Sequence, residues 1–400
     1  MTERGSRRSR VASSLLALGL GLLLAAASVA VLEGACYLLN RAGLERAPAN
    51  AGAAAAARAA LLPGAHEVAS SSAAKMVHAP VDVRVDQSAV VAEGHQPFMD
   101  RTQRVLAAKR GAQLASVLRA RDGSTVYSTL VTTDEHGLRS TPDPFAGEPG
   151  RSHLATLGCS FTWGVGVEDD ETFASQLAAR LPDRHVYNFG IPGAGPNDLL
   201  AREEVLGLFS AIAEPSGSAL YLMIGEHVQR ANGSMSVVGR WAMGSADVEE
   251  VAPGEFRFRG SWKKARPIRS WLYRFLVDRE ITRFFQLDWP PPDRAAAART
   301  ARMIAALRRE YRARTRPEND FTVVIFSAGG LRAELRDAFD AEGLAYLDYS
   351  QIDWSRITGE APSIALDGHP APPTYRALAD AVIEDLHLEG QSGAAVTSRN

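Results

Sequence analysis

The chain has 400 residues, 46% of them hydrophobic and 22% charged, with a formal net charge of −2. This is an ordinary globular balance with room for one large core, and it excludes the basic footprint of a nucleic-acid binder. Its two cysteines, Cys36 and Cys159, lie far apart and no Cys/His cluster has metal-ligand spacing, so no disulfide, metal or cofactor is expected.

Arg4, Arg7, Arg8 and Arg10 precede an uncharged, Leu- and Ala-rich stretch from Val11 to Leu32. At roughly 1.5 Å per helical residue this stretch matches a hydrocarbon core of about 30 Å. The arginines favour the cytoplasmic side, which puts everything after Leu32 outside the cytoplasm, periplasmic or extracellular. Ser28-Val29-Ala30 offers a small-residue cleavage site, so a removed signal peptide is the rival reading. The length of the run and the return of apolar residues at Ala35-Cys36-Tyr37-Leu38-Leu39 favour a retained anchor. Residues 1–40 are therefore read as a cytoplasmic tip and transmembrane anchor, and the Ala-rich residues 41–72 as a flexible linker. Residues 73–150 read as a small β-containing lead-in, with a helix candidate over Gln103 to Arg119 and strand alternation from Thr125 to Val131. Residues 391–400 read as a disordered tail.

From His153 the pattern alternates. Strands are predicted over 153–158, 185–190, 218–225, 321–327 and 344–349; helices over 171–181, 197–214, 294–315, 330–342 and 373–388. Short apolar runs separated by amphipathic helices predict an α/β domain over 151–390, its five-stranded parallel sheet covered on both faces. An insertion at about 229–292 interrupts the alternation. It suggests a hairpin from Gly239–Gly244 and Glu255–Gly260, then an aromatic stretch through Trp262, Trp271, Tyr273, Phe275, Phe284, Phe285 and Trp289. Those aromatics read equally as a cleft wall or lid and as cover for the sheet.

Two segments carry chemistry. Gly158-Cys159-Ser160-Phe161-Thr162-Trp163-Gly164 follows the first predicted strand, and Asp367-Gly368-His369-Pro370 precedes the closing helix. A serine on a small-residue turn at a strand's end, with a late Asp/His pair, is the minimal kit for a nucleophilic serine. The competing reading, a turn that merely caps a helix, leaves the downstream pair unexplained.

These segments resemble the SGNH/GDSL hydrolases, and in particular bacterial membrane-anchored members, over roughly residues 153–388. Gly158-Cys159-Ser160-Phe161-Thr162 is similar to the nucleophile block, and Asn188-Phe189-Gly190-Ile191-Pro192-Gly193 to the block whose glycine N–H serves the oxyanion hole. Asp367-Gly368-His369-Pro370 resembles the last block. The resemblance implies a flavodoxin-like three-layer α/β/α fold and ester hydrolysis. Ser160 would be nucleophile, His369 base and Asp367 its orienting acid. The N–H groups of Ser160 and Gly193 would hold the oxyanion.

Three departures stand out. Cys159 replaces the family's Asp before the serine. His227, in Ile224-Gly225-Glu226-His227-Val228, stands where the oxyanion Asn is usual, and an imidazole N–H can take that role. The Asp-to-His gap is two residues where three is common, and in extended backbone residues two apart face the same way; the other reading is a structural Asp367, with a backbone carbonyl orienting the ring. Arg230 is a candidate for an anionic substrate group, and Asn197 for lining the site. Arg139, in the turn-like Asp134–Arg139 segment, has no assignable role. The leading expectation is an extracytoplasmic serine esterase that removes an O-acyl group, acetyl among the candidates, from a carbohydrate or similar ester. An O-acyltransferase using the same acyl-enzyme, and a non-catalytic glycan-binding or assembly protein, are the alternatives.

Overall fold

The computed structural model describes residues 27–41 and 99–388, apart from 101, 103, 121 and 122. The linker, the tail and most of the apolar N-terminal run lie outside the described residues. Among the described residues, no helix is long and apolar enough to cross a membrane.

The lead-in is an antiparallel pair, β1 (Gln113–Arg119) and β2 (Thr125–Thr132). The helix candidate over 103–119 is not formed: Gly111 turns with φ +56°, and beyond it side chains alternate between buried and exposed at the two-residue period of a strand.

The domain's sheet comprises β3 (Ser152–Leu157), β4 (Arg184–Asn188), β5 (Gly217–Met223), β8 (Asp320–Ile325) and β9 (Ala345–Asp348), all parallel in the order β4-β3-β5-β8-β9. Alternation assigns its faces. Ala219, Tyr221 and Met223 of β5 join one buried cluster, and Leu220 and Leu222 the other. The first face is covered by α3 (Pro196–Leu206), α7 (Arg294–Arg314) and α8 (Arg332–Ala341), and the second by α2 (Phe173–Ala178) and α9 (Pro372–Asp385). The result is a three-layer α/β/α sandwich. In such a sheet the carboxyl ends of the strands form the crevice, and the turn after β3 carries α1 (Ser160–Trp163).

The insertion holds α4 (Glu226–Asn232), the hairpin β6 (Ala246–Ala252)–β7 (Glu255–Ser261), α5 (Pro267–Leu276) and α6 (Glu280–Phe284). Its first hairpin strand lies beyond the predicted Gly239–Gly244 segment, which instead forms a helical turn at Ala242–Gly244.

Candidate active site

The nucleophile turn is built on a close backbone approach. Gly158 has φ +149°, and a Cβ there would stand 2.2 Å from Thr162 Oγ1 and 2.9 Å from the Leu222 carbonyl. Only glycine lets the chain leave β3, pass over β5 and start α1 within two residues. Ser160 opens α1, so its N–H is one of the orphan donors of a first helical turn.

The general base arrives from the far end of the chain. A bridge between Ser363 and Pro370 closes a loop in which Ile364 O accepts from the N–H groups of Asp367 (3.2 Å) and Gly368 (2.9 Å), and Ile364 N donates to His369 O at 2.8 Å. Leu366 (φ +64°) and Gly368 (φ +84°) bend it. The segment is a turn, not extended backbone, and so a two-residue gap suffices for contact. Asp367 Oδ2 lies 2.5 Å from His369 Nδ1, and His369 Nε2 lies 2.8 Å from Ser160 Oγ. Nδ1–H donating to the carboxylate leaves Nε2 unprotonated to accept from the serine hydroxyl. Asp367 and His369 are mostly shielded, with side chains 7% and 17% exposed, while Ser160 is 6% exposed. The Phe161 ring packs on the imidazole at 5.2 Å between centroids.

Arg139 and Asn188 hold this turn from below. Arg139, 1% exposed, donates to the carbonyls of Trp163 (3.0 Å), Gly164 and Val167 (2.7 Å), and its Nε donates to Asp169 at 2.9 Å. Burial pulls the guanidinium below its usual pKa, and Asp169 opposes that pull. Asn188, ending β4, donates from Nδ2 to Thr162 O at 3.0 Å and accepts from Gly190 N at 3.1 Å. One side chain therefore ties the nucleophile helix to the start of the Gly193 loop. The Gly193 N–H donates to no backbone carbonyl among the described residues, and the half-exposed Trp241 ring lies 3.2 Å from where a Gly193 Cβ would stand.

Three sequence-predicted residues take other positions. His227 is fully enclosed, with Nδ1 3.0 Å from Tyr221 Oη and Nε2 buried without a hydrogen-bond partner. With no exposed surface it meets no substrate in this conformation, which corrects its expected oxyanion role. Burial, reinforced by Arg230, pushes its pKa well below the usual imidazole value, so it is neutral. Arg230, 6% exposed, donates to Ala194 O at 2.8 Å, pairs with Glu226 and lies under Trp241 at 5.1 Å. It braces the Gly193 loop rather than offering its charge to a ligand. Asn197 is fully buried and donates to Ala246 O at 2.8 Å, which docks the hairpin onto α3. Cys159 is a free, fully buried thiol.

Arg139, Asn188's side chain and Trp241 were missed as site residues. The signal for Asn188 lay in its place at the mouth of the second block. Arg139 and Trp241 had none, since both come from segments with no chemical pattern.

No family model matches the chain, and no curated protein matches it. Solved structures similar to it include lipolytic proteins of the G-D-S-L family, an acetyl xylan esterase and an acetyl-xylooligosaccharide esterase. A lipase/acylhydrolase from Enterococcus faecalis is 13% identical, with 61% of this chain and 100% of that chain covered, at a TM-score of 0.32. A lipolytic G-D-S-L family protein from Veillonella parvula is 11% identical, with 58% and 97% covered, at 0.32. An acetyl-xylooligosaccharide esterase from Geobacillus is 10% identical, with 63% and 100% covered, at 0.31.

Proposed function

We propose that this chain is a serine carboxylic ester hydrolase that removes an O-acyl group, acetyl included, from a carbohydrate or similar ester through an acyl-enzyme. The observation that carries the reading is the continuous line Asp367–His369–Ser160, at 2.5 and 2.8 Å, at the carboxyl end of the sheet. His369 takes the hydroxyl proton as Ser160 Oγ bonds to the ester carbonyl carbon. The N–H groups of Ser160 and Gly193 stabilise the oxyanion that forms. His369 returns the proton to the departing alkoxide, and the acyl-serine is released when water attacks with the same imidazole as base. Asp367 keeps the ring oriented and stabilises its charged form.

The arginine cluster and apolar run ahead of residue 33 support a location outside the cytoplasm at the membrane face. Fluorophosphonate labelling and hydrolysis of short-chain p-nitrophenyl esters test the activity. Labelling is expected at Ser160, with turnover lowered at least about a thousandfold in Ser160→Ala. Unchanged hydrolysis by that variant overturns the proposal. Acyl transfer to an added sugar that outpaces hydrolysis assigns the acyl-enzyme to a transferase instead.

A further inference from the structure

Large apolar side chains exposed to solvent are not spread over this molecule. Of the eighteen among the described residues, six lie in the helix over residues 27–41 and seven between Ile268 and Trp289. Within α5, Ser270, Tyr273 and Val277, the residue after its end, face the protein, whereas Ile268, Trp271, Leu272 and Phe275 are exposed at 82%, 68%, 42% and 50%. Those four fall at helical i, i+3, i+4, i+7 positions, so α5 carries a second apolar stripe directed away from the core. Trp271 and Phe275 stack on each other along it, with centroids 6.0 Å apart.

The charge around this stripe is the reverse of the chain's. Residues 262–289 hold seven lysines and arginines against three carboxylates, in a protein of net charge −2. Lys263 and Lys264 ahead of α5, Arg274 within it and Arg279 after it are exposed, and the Arg279 guanidinium lies 4.1 Å from the Phe275 ring centroid.

The helix over 27–41, which follows the apolar run Val11–Leu32 in sequence, reaches this insertion at α6, the element that comes next after α5. That helix is hydrogen-bonded to the domain at α6. Glu33 accepts from the N–H groups of Glu280 (2.7 Å) and Ile281 (3.1 Å) at the start of α6, Asn40 donates to the Glu280 carboxylate at 2.6 Å, and Cys36 on the same helix is buried. Val31, Leu32 and Leu38 remain exposed.

We infer that α5 is a membrane-docking helix whose outer stripe lies in an anionic lipid surface, next to the point where the N-terminal helix meets that surface. An amphipathic helix with Trp and Phe on one side and basic residues beside them seats about 5–10 Å into the headgroup–acyl boundary. Aromatic rings with an apolar body suit that boundary, and neighbouring Lys and Arg side chains are attracted to an anionic lipid surface. The domain is therefore held on the membrane, not merely tethered near it. The inference rests on the membrane-side location proposed above.

The test uses the full chain in nanodiscs that hold a single copy, made of phosphatidylcholine with phosphatidylglycerol. An NBD fluorophore is placed on Trp271→Cys, on Phe275→Cys, and on the distant, exposed Ile357→Cys as control; the native thiols are buried and leave labelling specific. Residues 271 and 275 are expected to give blue-shifted emission, quenched by nitroxides on the shallow acyl carbons, with both effects weaker without phosphatidylglycerol. Residue 357 is expected to give water-like emission. Water-like emission at all three positions overturns the proposal. A blue shift that appears only when several copies share a disc also overturns it, since the stripe then meets a second copy. Recovery of the chain only as a soluble, shortened species defeats the anchor reading separately. That species, floated with preformed anionic vesicles, still decides the docking face by the loss of flotation in Trp271→Glu/Phe275→Glu.

Discussion

Two turns leave adjacent parallel strands at the same end of the sheet, and they have opposite fates. The turn after β3 lifts Ser160 to the imidazole of His369 at 2.8 Å. The turn after β5 carries His227, the residue placed by position to assist it, and encloses it completely against Tyr221. Topology alone does not separate them, since β3 and β5 are paired neighbours. The packing beneath each turn does. Arg139 and Asn188 fill the space under the first turn with donors to its carbonyls, which fixes the turn without covering its hydroxyl. Under the second, Gly225 lies against Gly329, and a Cβ on it would come within 2.5 Å of the Gly329 nitrogen. That contact brings the chain after β8 across the turn. A catalytic position is thus set by what supports the loop as much as by the strand that delivers it.

Substitutions at the first turn sharpen the contrast most. His369→Ala is expected to lower turnover at least about a thousandfold, with little further loss when combined with Ser160→Ala, because the two act as one unit. Single-turnover kinetics of the double variant check this, and independent, multiplying losses would break the assignment. Asp367→Asn is expected to cost roughly fifty- to a hundredfold less than loss of the serine, as orienting acids do when the nucleophile and base remain. A loss in KM alone would place Asp367 in binding.

Support is tested at Arg139. Replacing it with Met leaves the carbonyls of Trp163 and Val167 without their donor and the partly buried Asp169 carboxylate without its cation, at a cost of up to about 3–5 kcal/mol. The expected readout is a marked fall in melting temperature together with weaker fluorophosphonate labelling of Ser160. Full stability with unchanged labelling would remove Arg139 from the description of the turn.

Much of this architecture was legible in the sequence because buried parallel strands read as short apolar runs. Leu154 to Leu157 and Leu220 to Met223 are examples. The serine turn was legible for a related reason, since Gly158 and Ser160 occupy positions where few other residues fit. The hairpin was less so: in Ala246–Ala252 the consecutive Glu249 and Glu250 interrupt the strand alternation, and one of them is committed to Arg302. The burial of His227 is not legible in the sequence for a deeper reason. A histidine after a strand has the same spelling whether its ring faces a cleft or a tyrosine, and only the side chains of other segments decide. Arg139 shows the converse, a residue without local pattern whose acceptors lie about 25 to 30 positions away.

The second turn makes the smallest prediction and the one most specific to its burial. His227→Gln keeps a polar side chain of similar reach, so turnover is expected to change by less than about tenfold, where loss of a true oxyanion donor costs about a hundredfold or more. The same variant has a signature in pH. Because burial and Arg230 hold the folded imidazole neutral well below its usual range, the unfolded chain binds one more proton than the folded one at mildly acid pH. Stability contributed by this difference is fully present above about pH 6.5 and declines as pH falls below it. His153, also depressed by burial, acts with the same sign. Denaturant midpoints measured between about pH 7 and pH 5 are therefore expected to fall less steeply in His227→Gln than in the parent, with His153 supplying part of the remaining slope. Equal slopes in the two proteins would mean that the ring takes up its proton in the folded state. The enclosure that separates this turn from its neighbour would then be open to water.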